Sequence, residues 1–599
     1  AMKRQSSVDY SEIDYQQSRQ RFEAEIDKEV GGIERHEITV DEYEMYLGDG
    51  MDWFEDKPWW QWGAQGWVDM NNPYVIKAME KEIGSFQDFG AFEPIEKEVT
   101  VAEGYTTLSA TWVPSWDEVG DVKMRYCSRE FASEKRDDLF TPANTVSTER
   151  IIDIHAAKNK HRGFVTLIVD CKNAYLHAEE TEKVCVQPPD VWMQAWVSGG
   201  GSPSVMWKLK KQMYGRRKAS QAFNDYMAKV LVIMGFEQFI AMTQFWIHRE
   251  KEILIDLHQD DIHASLPEKE CAGFIDVLKG YVMIKASVPL KTGMSYTHLK
   301  CERIKVPEGT VLRMSEKYLD KCLELMGMDT GIDEDTGKVL NAALTPLQES
   351  SWDESDSPLV SEEMQKKCMM VNGCLQYITK FRSDIHYTVM EIGCRIRQVT
   401  EKTLAVIKRL LRYLHGTRGW ALMIKNEGKL YEVYSESDTN WAGCKQSRRS
   451  TSSCRITVGG STAYSFARKQ KIIALSSGEA EYYGMTSALC EALLVARLLK
   501  WITGGDIVIT HGLDSIAARG MGLRQGVGKV KHLEIKCLWI QDYLRGRNGR
   551  EKIDIIKVPT SSIVADIGTK ALSNDRIRVL MKLGGYIEVP AKVLSLIHI

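Results

Sequence analysis

Apolar and polar positions alternate along this chain with periods that change from stretch to stretch. Residues 74–92 carry Ile76, Met79, Ile83 and Phe86 at helical spacing behind Asn71-Asn72-Pro73, which predicts an amphipathic helix. Alternation around Tyr105–Val113 and Val122–Phe131 predicts strands. Phe164 to Val169 is a near-continuous apolar run ending at Asp170, the pattern of a buried strand that delivers a carboxylate to its open end. A helix carrying Phe223, Met227, Val230, Leu231 and Met234 closes at Gly235. Over Glu252–Ser265 an apolar strand runs into the adjacent pair Asp260-Asp261 and leaves as a second strand. Helices dominate 361–416, and strands resume around Tyr431–Tyr434 and Ser453–Val458. A helix from Gly478 to Trp501 should bury Met485, Leu489, Leu493 and Leu498, and a last strand, Ile553–Val558, precedes Thr560–Leu572. No internal repeat is visible.

With 599 residues, the chain should form two to four domains, and 44% hydrophobic content supplies material for real cores. No apolar run approaches a membrane span, and Ala1–Ser7 leads into no apolar stretch, so neither a membrane anchor nor a secretory signal is expected. Thirteen cysteines without a CxxC pair predict reduced thiols in an intracellular protein. Residues 1–100 hold 10 basic against 23 acidic side chains, so the remaining 499 are mildly basic and permit a polyanionic partner. Residues 1–50 are expected as a flexible acidic lead-in. The cluster Trp53, Phe54, Trp59, Trp60, Trp62 and Trp67 reads as a packed cap, since the surrounding acid argues against base stacking. Residues 349–358 read as a linker.

An isolated Asp-Asp is most often an exposed acidic turn. Joined by Asp170 at one sheet edge, Asp260 and Asp261 would instead hold two magnesium ions, one activating a 3′-hydroxyl and one steadying pyrophosphate.

Val169-Asp170-Cys171-Lys172-Asn173-Ala174-Tyr175-Leu176-His177-Ala178 resembles the first catalytic motif of copia-type retrotransposon reverse transcriptases. So do Val186–Pro189, Lys208–Gly215, Leu257–Asp261 in place of Tyr-Val-Asp-Asp, Phe381–Ile385 and Arg412–Thr417, in the family's order from about residue 75 to 572. The resemblance implies that Asp170, Asp260 and Asp261 are metal ligands and that Tyr175 is the steric gate against a 2′-hydroxyl. Without the motif, Tyr175 would read as core packing. Arg125 or Arg129 would grip the triphosphate, with a solvated strand face as the competing reading. Departures are His258 and Gln259 for the family's Tyr and Val, and Lys218 and Ser220 for its usual Gln and Pro. Lys218 stands at a nucleotide-positioning place.

Tyr434–Gly443, Arg448–Ser452, Leu475–Tyr482, Leu513-Asp514-Ser515 and Val564–Leu572 resemble the ribonuclease H domain of the same elements. The resemblance implies Asp438, Glu481, Asp514 and Asp566 as a second set of metal ligands, with water as nucleophile. Glu479 competes with Glu481, and Ala480-Glu481-Tyr482 favours the latter. Asn440 replaces the family's second Asp. Lys529, Lys531 and His532 form a basic loop expected to hold the hybrid backbone, against the alternative of a solvated turn. Asp329-Thr330-Gly331 and Asp335-Thr336-Gly337 spell a protease signature but sit in an acidic turn and are rejected.

The expected fold is multidomain α+β and α/β: a right-hand polymerase with fingers, palm and thumb, then a ribonuclease H-like mixed-sheet domain. The expected boundaries are 1–70 acidic and Trp-rich, 71–348 fingers and palm, 349–428 helical thumb or connection, 429–572 ribonuclease H-like, and 573–599 a tail whose residues 594–599 continue no motif. The implied function is RNA-templated DNA synthesis with hybrid RNA degradation, as the end portion of a longer polyprotein. Its cofactor would be Mg2+, two per site, with Mn2+ as a substitute. Its partners would be RNA template, DNA primer, RNA–DNA hybrid and deoxynucleoside triphosphates, with no membrane. The expected location is a cytoplasmic particle or the nucleus, with homo-oligomers left open. The alternative is a decayed or co-opted copy that binds nucleic acid without chemistry.

Overall fold

The structure is a computed structural model that describes residues 62–63, 66–67, 70–116, 122–131, 136, 139, 148–328, 342–348, 357–547 and 552–589. The lead-in 1–50, most of the Trp-rich segment, both Asp-Thr-Gly triplets, most of the 349–358 linker and residues 594–599 lie outside these. No helix among the described residues is long and apolar enough to cross a membrane.

The first helix among the described residues is Pro73–Asp88. The Asn72 side chain accepts from the Tyr74 backbone N–H, and Pro73 lies in the first turn, where its missing N–H costs nothing. Its buried face is Val75, Met79, Ile83 and Phe86, while Ile76 is only half-buried. The stripe therefore starts one residue earlier than the periodicity suggested. It packs toward a four-stranded sheet in the order Phe92–Glu96, Val205–Leu209, Val184–Val186 and Thr106–Leu108, and toward the Ala110–Trp116/Val122–Ser128 hairpin.

Phe164–Cys171 lies inside a six-stranded sheet, flanked by Asp261–Pro267 and Ile284–Ala286, with Ile253–His258 beyond. Leu167, Val169 and Cys171 on one side join a core with Phe223, Met227 and Leu231 of helix Ala219–Ile233 and with Phe274 and Leu278 of helix Cys271–Lys279. The other side is polar: the register pairs Asp170 with Asp261, Ile168 with His263 and Thr166 with Ser265. Side chains alternate across a strand, so one sheet carries an apolar back and an acid-bearing front.

A separate five-stranded antiparallel sheet joins Ser295–His298, Cys301–Val306, Gly309–Met314, Trp420–Lys425 and Tyr586–Glu588. The expected boundaries at 348 and 572 cut through this sheet. Residues 574–588, expected as a tail, form helix Asn574–Leu583 and the edge strand paired to Trp420–Leu422. Ile577, Leu580, Met581 and Tyr586 bury into the main core, which a solvated tail would not do. Helices Glu362–Thr379, His386–Gly393 and Glu401–Gly416 supply the expected helical segment.

The C-terminal part is a mixed sheet ordered Ser461–Lys469, Thr451–Val458, Glu432–Asn440, Val508–Leu513, Ile553–Lys557, with the last two strands parallel to Glu432–Asn440. Helix Ser477–Thr503 lies against it and buries Met485, Leu489, Leu493 and Leu498. Arg249 stands at this helix's C-terminus: it donates to the Trp501 carbonyl at 2.7 Å, and its guanidinium lies 5.1 Å from the Trp501 ring.

Candidate active sites

The first acid set is built by a hairpin. His258 pairs with Asp261, which leaves Gln259 and Asp260 as a two-residue turn with Gln259 at φ 52°. The Asp260 carbonyl accepts from the Cys171 N–H at 2.8 Å, locking the apex to the end of the Asp170 strand. Asp261 lies directly across from Asp170, so both carboxylates leave the same face. Burial, then the charges of Asp260 and Asp170, push the Asp261 carboxyl up to about 7. Burial also raises Asp260, with Asp170 adding to the rise and the Arg125 cation opposing it. His298, buried at the end of its strand, places Nδ1 4.0 Å from Asp261 Oδ2.

Beside the acids, Asn173 at φ 52° turns the chain into Ala174–His177. Tyr175 Oη lies 3.3 Å from Ser220 Oγ, and its ring meets Tyr214 edge-on at 5.1 Å. Arg125 covers the other part of this wall, its guanidinium 4.2 Å from the centre of the Tyr214 ring. A Cβ on Gly215 would lie 2.0 Å from the Ser128 carbonyl oxygen, so only glycine lets this turn press on the Arg125 strand. Tyr214 had no assigned role in the sequence; its Tyr-Gly pairing before a helix was the available signal. Of the two candidate arginines, Arg125 is the one whose charge acts on Asp260. Arg129 is half-buried, with Nε lacking a partner among the described residues. Lys218 turns to Thr181 Oγ1 at 3.2 Å and Glu182 at 3.9 Å, beside the buried Arg216 that binds Glu130, Glu180 and Glu182.

The second set is tighter. Asp438 sits on Glu432–Asn440, Asp514 just beyond the parallel strand Val508–Leu513, and Glu481 in the first turns of helix Ser477–Thr503. Gly484, one turn after Glu481, has room for no Cβ: it would lie 2.4 Å from Thr439 Oγ1. That close approach carries Glu481 onto the Asp438 strand. Asp438, Glu481 and Asp514 each bring one oxygen within 4.8 Å of the others, the only such trio among the described residues. Asp170, Asp260 and Asp261 thus share one sheet end without closing to this distance.

Burial, then the charges of Asp438 and Asp514, push Glu481 up to about 9. Its Oε2 is buried with no hydrogen-bond partner among the described residues, an orphan acceptor among carboxylates. An all-oxygen set of this kind fits a hard divalent cation such as Mg2+ or Mn2+. Thr569 donates to Asp438 at 2.6 Å, and Thr560 to Asp514 at 2.8 Å. Asn440 donates to the Thr569 carbonyl at 3.2 Å, so it ties down this turn.

Asp566, in the short turn Val564–Gly568, stands beside the trio. Lys570 holds it at 2.5 Å and Arg576 at 3.2 Å. Glu479 accepts from the Leu475 N–H and the Tyr483 hydroxyl, both at 2.7 Å, and pairs with His532 at 3.0 Å. Two residues along a helix turn the side chain by about 200°, so Glu479 and Glu481 point to different sides. His532 is therefore docked away from the carboxylate trio, with Lys529 and Lys531 exposed on the same loop.

Residues 99–328 match the family described as reverse transcriptase (RNA-dependent DNA polymerase). The chain is 24% identical over 532 residues to the retrovirus-related Pol polyprotein from transposon TNT 1-94 of Nicotiana tabacum, covering 85% of this chain and 38% of that one. It is 26% identical over 430 residues to the corresponding polyprotein from transposon RE1 of Arabidopsis thaliana, covering 70% and 27%. It thus spans well under half the length of these relatives. A solved foamy viral protease–reverse transcriptase in complex with ds DNA superposes with a TM-score of 0.46 at 10% identity, covering 93% of this chain and 84% of that one. Residues 99–328 thus match the reverse transcriptase family, and over most of its length the chain is similar to retrovirus-related Pol polyproteins of plant transposons, which supports a copia-type retrotransposon reverse transcriptase.

Proposed function

We propose that the chain is an RNA-directed DNA polymerase that also cleaves the RNA strand of RNA–DNA hybrids. The observation that carries the reading is a pair of separate sheets, each presenting its acids at one end. One has Asp170 and Asp261 in register under the Asp260 turn, and the other has the Asp438–Glu481–Asp514 trio. Bound divalent cations, Mg2+ by preference, would lower the pKa of the attacking hydroxyl or water and offset charge on the leaving oxygen. The protein's part is positioning. Asp170, Asp260 and Asp261 orient a primer terminus and the triphosphate of an incoming deoxynucleotide. Tyr175 sets the floor under the sugar and excludes a 2′-hydroxyl. Arg125, propped by Tyr214, offers a guanidinium to the phosphates.

In the second site, Asp438, Glu481 and Asp514 draw a water toward a phosphodiester of the RNA strand. Lys529 and Lys531 are free to contact the hybrid backbone, whereas His532 reaches it only after leaving Glu479. The partners are thus RNA template, DNA primer, hybrid and deoxynucleoside triphosphates.

The test is primer extension on an RNA template with Mg2+, alongside release of labelled RNA from a hybrid. Asp260→Asn with Asp261→Asn should abolish extension and leave RNA release. Asp438→Asn should do the reverse. Extension equal in wild type and the double variant would sink the polymerase reading, and filter binding without turnover in either assay would favour a nucleic-acid binder.

A further inference from the structure

Asp566 is a buried carboxylate with two cations on it, and the two are held differently. Arg576 also donates to the Ser561 carbonyl at 2.6 Å and the Thr560 carbonyl at 2.9 Å, so its guanidinium is anchored on three acceptors. Lys570 pairs with Asp566 Oδ1 at 2.5 Å, and its side chain remains 48% exposed. The Lys570 charge also acts on Asp438 and on Glu481. A lysine with an exposed flexible stem can leave such a contact by rotating into water, whereas an anchored arginine cannot. The same geometry explains why only three of the four acids draw together: the fourth already has its positive partner.

We propose that the Lys570 ammonium occupies the cation position between Asp566 and Asp438, so the two divalent cations of this site load in order. This rests on the hybrid-cleavage reading above. The first cation enters the Asp438–Glu481–Asp514 pocket, where Glu481 Oε2 has no hydrogen-bond partner among the described residues. The second binds only as Lys570 swings off Asp566. The Lys570 ammonium and an incoming divalent cation would compete for the same Asp566 oxygen and repel each other, so lysine release and second-cation entry are coupled. Lys570 is on this account a positioning and loading residue, and the second cation is the weaker one.

The experiment counts Mn2+ bound to the full-length chain, from the loss of the free-ion paramagnetic resonance signal. It is done in an Asp260→Asn, Asp261→Asn background, so that the other acid set contributes little. The background protein should show one tighter and one weaker step. Lys570→Met, which keeps the stem and removes the charge, should tighten the weaker step about tenfold or more and shift the first step several-fold less. Lys570→Arg should restore the wide separation of the two steps. An unchanged second step in Lys570→Met, with the first step intact, overturns the proposal and leaves the hybrid-cleavage reading standing. Adding Asp438→Asn and Asp514→Asn should remove the first step; if it survives, the trio is not a cation site and both readings fall. Thermal melting of each variant separates loss of binding from loss of fold.

Discussion

Thr569 gives its hydroxyl hydrogen to Asp438 across 2.6 Å, from a position with no exposed surface. The hydroxyl fixes one oxygen of a carboxylate that belongs to the trio with Glu481 and Asp514. Thr569→Val keeps the volume and removes the donor. It should lower hybrid cleavage by about 10–100-fold, the usual effect of losing a partner behind a ligand, with polymerisation unchanged. Thr569→Ser should recover most of the activity. Cleavage by the valine variant at the wild-type rate would count against the arrangement.

Glu479 and Glu481 should separate cleanly. Glu481→Gln removes a carboxylate from the trio and should abolish Mn2+ binding there along with RNA release. Glu479→Gln touches only the contacts to Leu475, Tyr483 and His532. It should cost about 1–3 kcal/mol of stability in denaturant unfolding while cleavage persists. Loss of cleavage in Glu479→Gln with normal stability would reverse the assignment.

Stability in the absence of divalent ions should fall as pH rises. Asp261 and Glu481 have native pKa values of about 7 and about 9, above the ordinary 3.8 and 4.5. A carboxyl with a raised native pKa binds its proton more tightly folded than unfolded, so it favours the fold most below the unfolded value. That contribution is lost as pH climbs through the native value. With a chelator present, the melting temperature should drop between pH 5.5 and 8.5, and Mn2+ should restore more of it at pH 8.5 than at pH 5.5. A melting temperature that rises over this window in chelator would refute the argument.

Arg303 and Asp153 form a buried pair, with Nε 3.1 Å from both carboxylate oxygens and each side chain almost wholly enclosed. Arg303 also donates to the His298 carbonyl at 3.0 Å, so the pair braces the strand end that approaches Asp261. Arg303→Met leaves the acid uncompensated and should destabilise by about 3–5 kcal/mol in chemical unfolding. Arg303→Met with Asp153→Leu should recover a large part of this loss.

Tyr175→Ala should relax sugar selection. With the ring gone, ribonucleotide incorporation relative to deoxyribonucleotide should rise by about tenfold or more in single-nucleotide extension. An unchanged ratio would return Tyr175 to the packing role that its contacts with Tyr214 and Ser220 also serve.

Much of the local structure was legible because short-range periodicity reports burial. The strand ending at Asp170, the helix before Gly235 and the long helix over Met485–Leu498 lie where spacing put them. The five-stranded sheet joining residues 295–314, 420–425 and 586–588 left no comparable trace. Its strands are short and far apart in sequence, and nothing local tells Trp420 that its partner is Glu588. That is why residues 574–588 read as a tail.

Acid identity and order were properties of the chain itself: seven carboxylates at strand ends, turns and helix starts, in a fixed succession of motifs. Which of them meet was decided by folding. Helix rotation and the bare Cα of Gly484 brought Glu481, not Glu479, to Asp438, while Lys570 and Arg576 drew Asp566 aside. Antiparallel register set Asp261 opposite Asp170, and the Tyr214 ring brought Arg125 rather than Arg129 into the field of Asp260. A side chain's chemistry is carried by its residue, whereas its neighbours across a sheet or helix face depend on packing between segments from about forty to over a hundred positions apart.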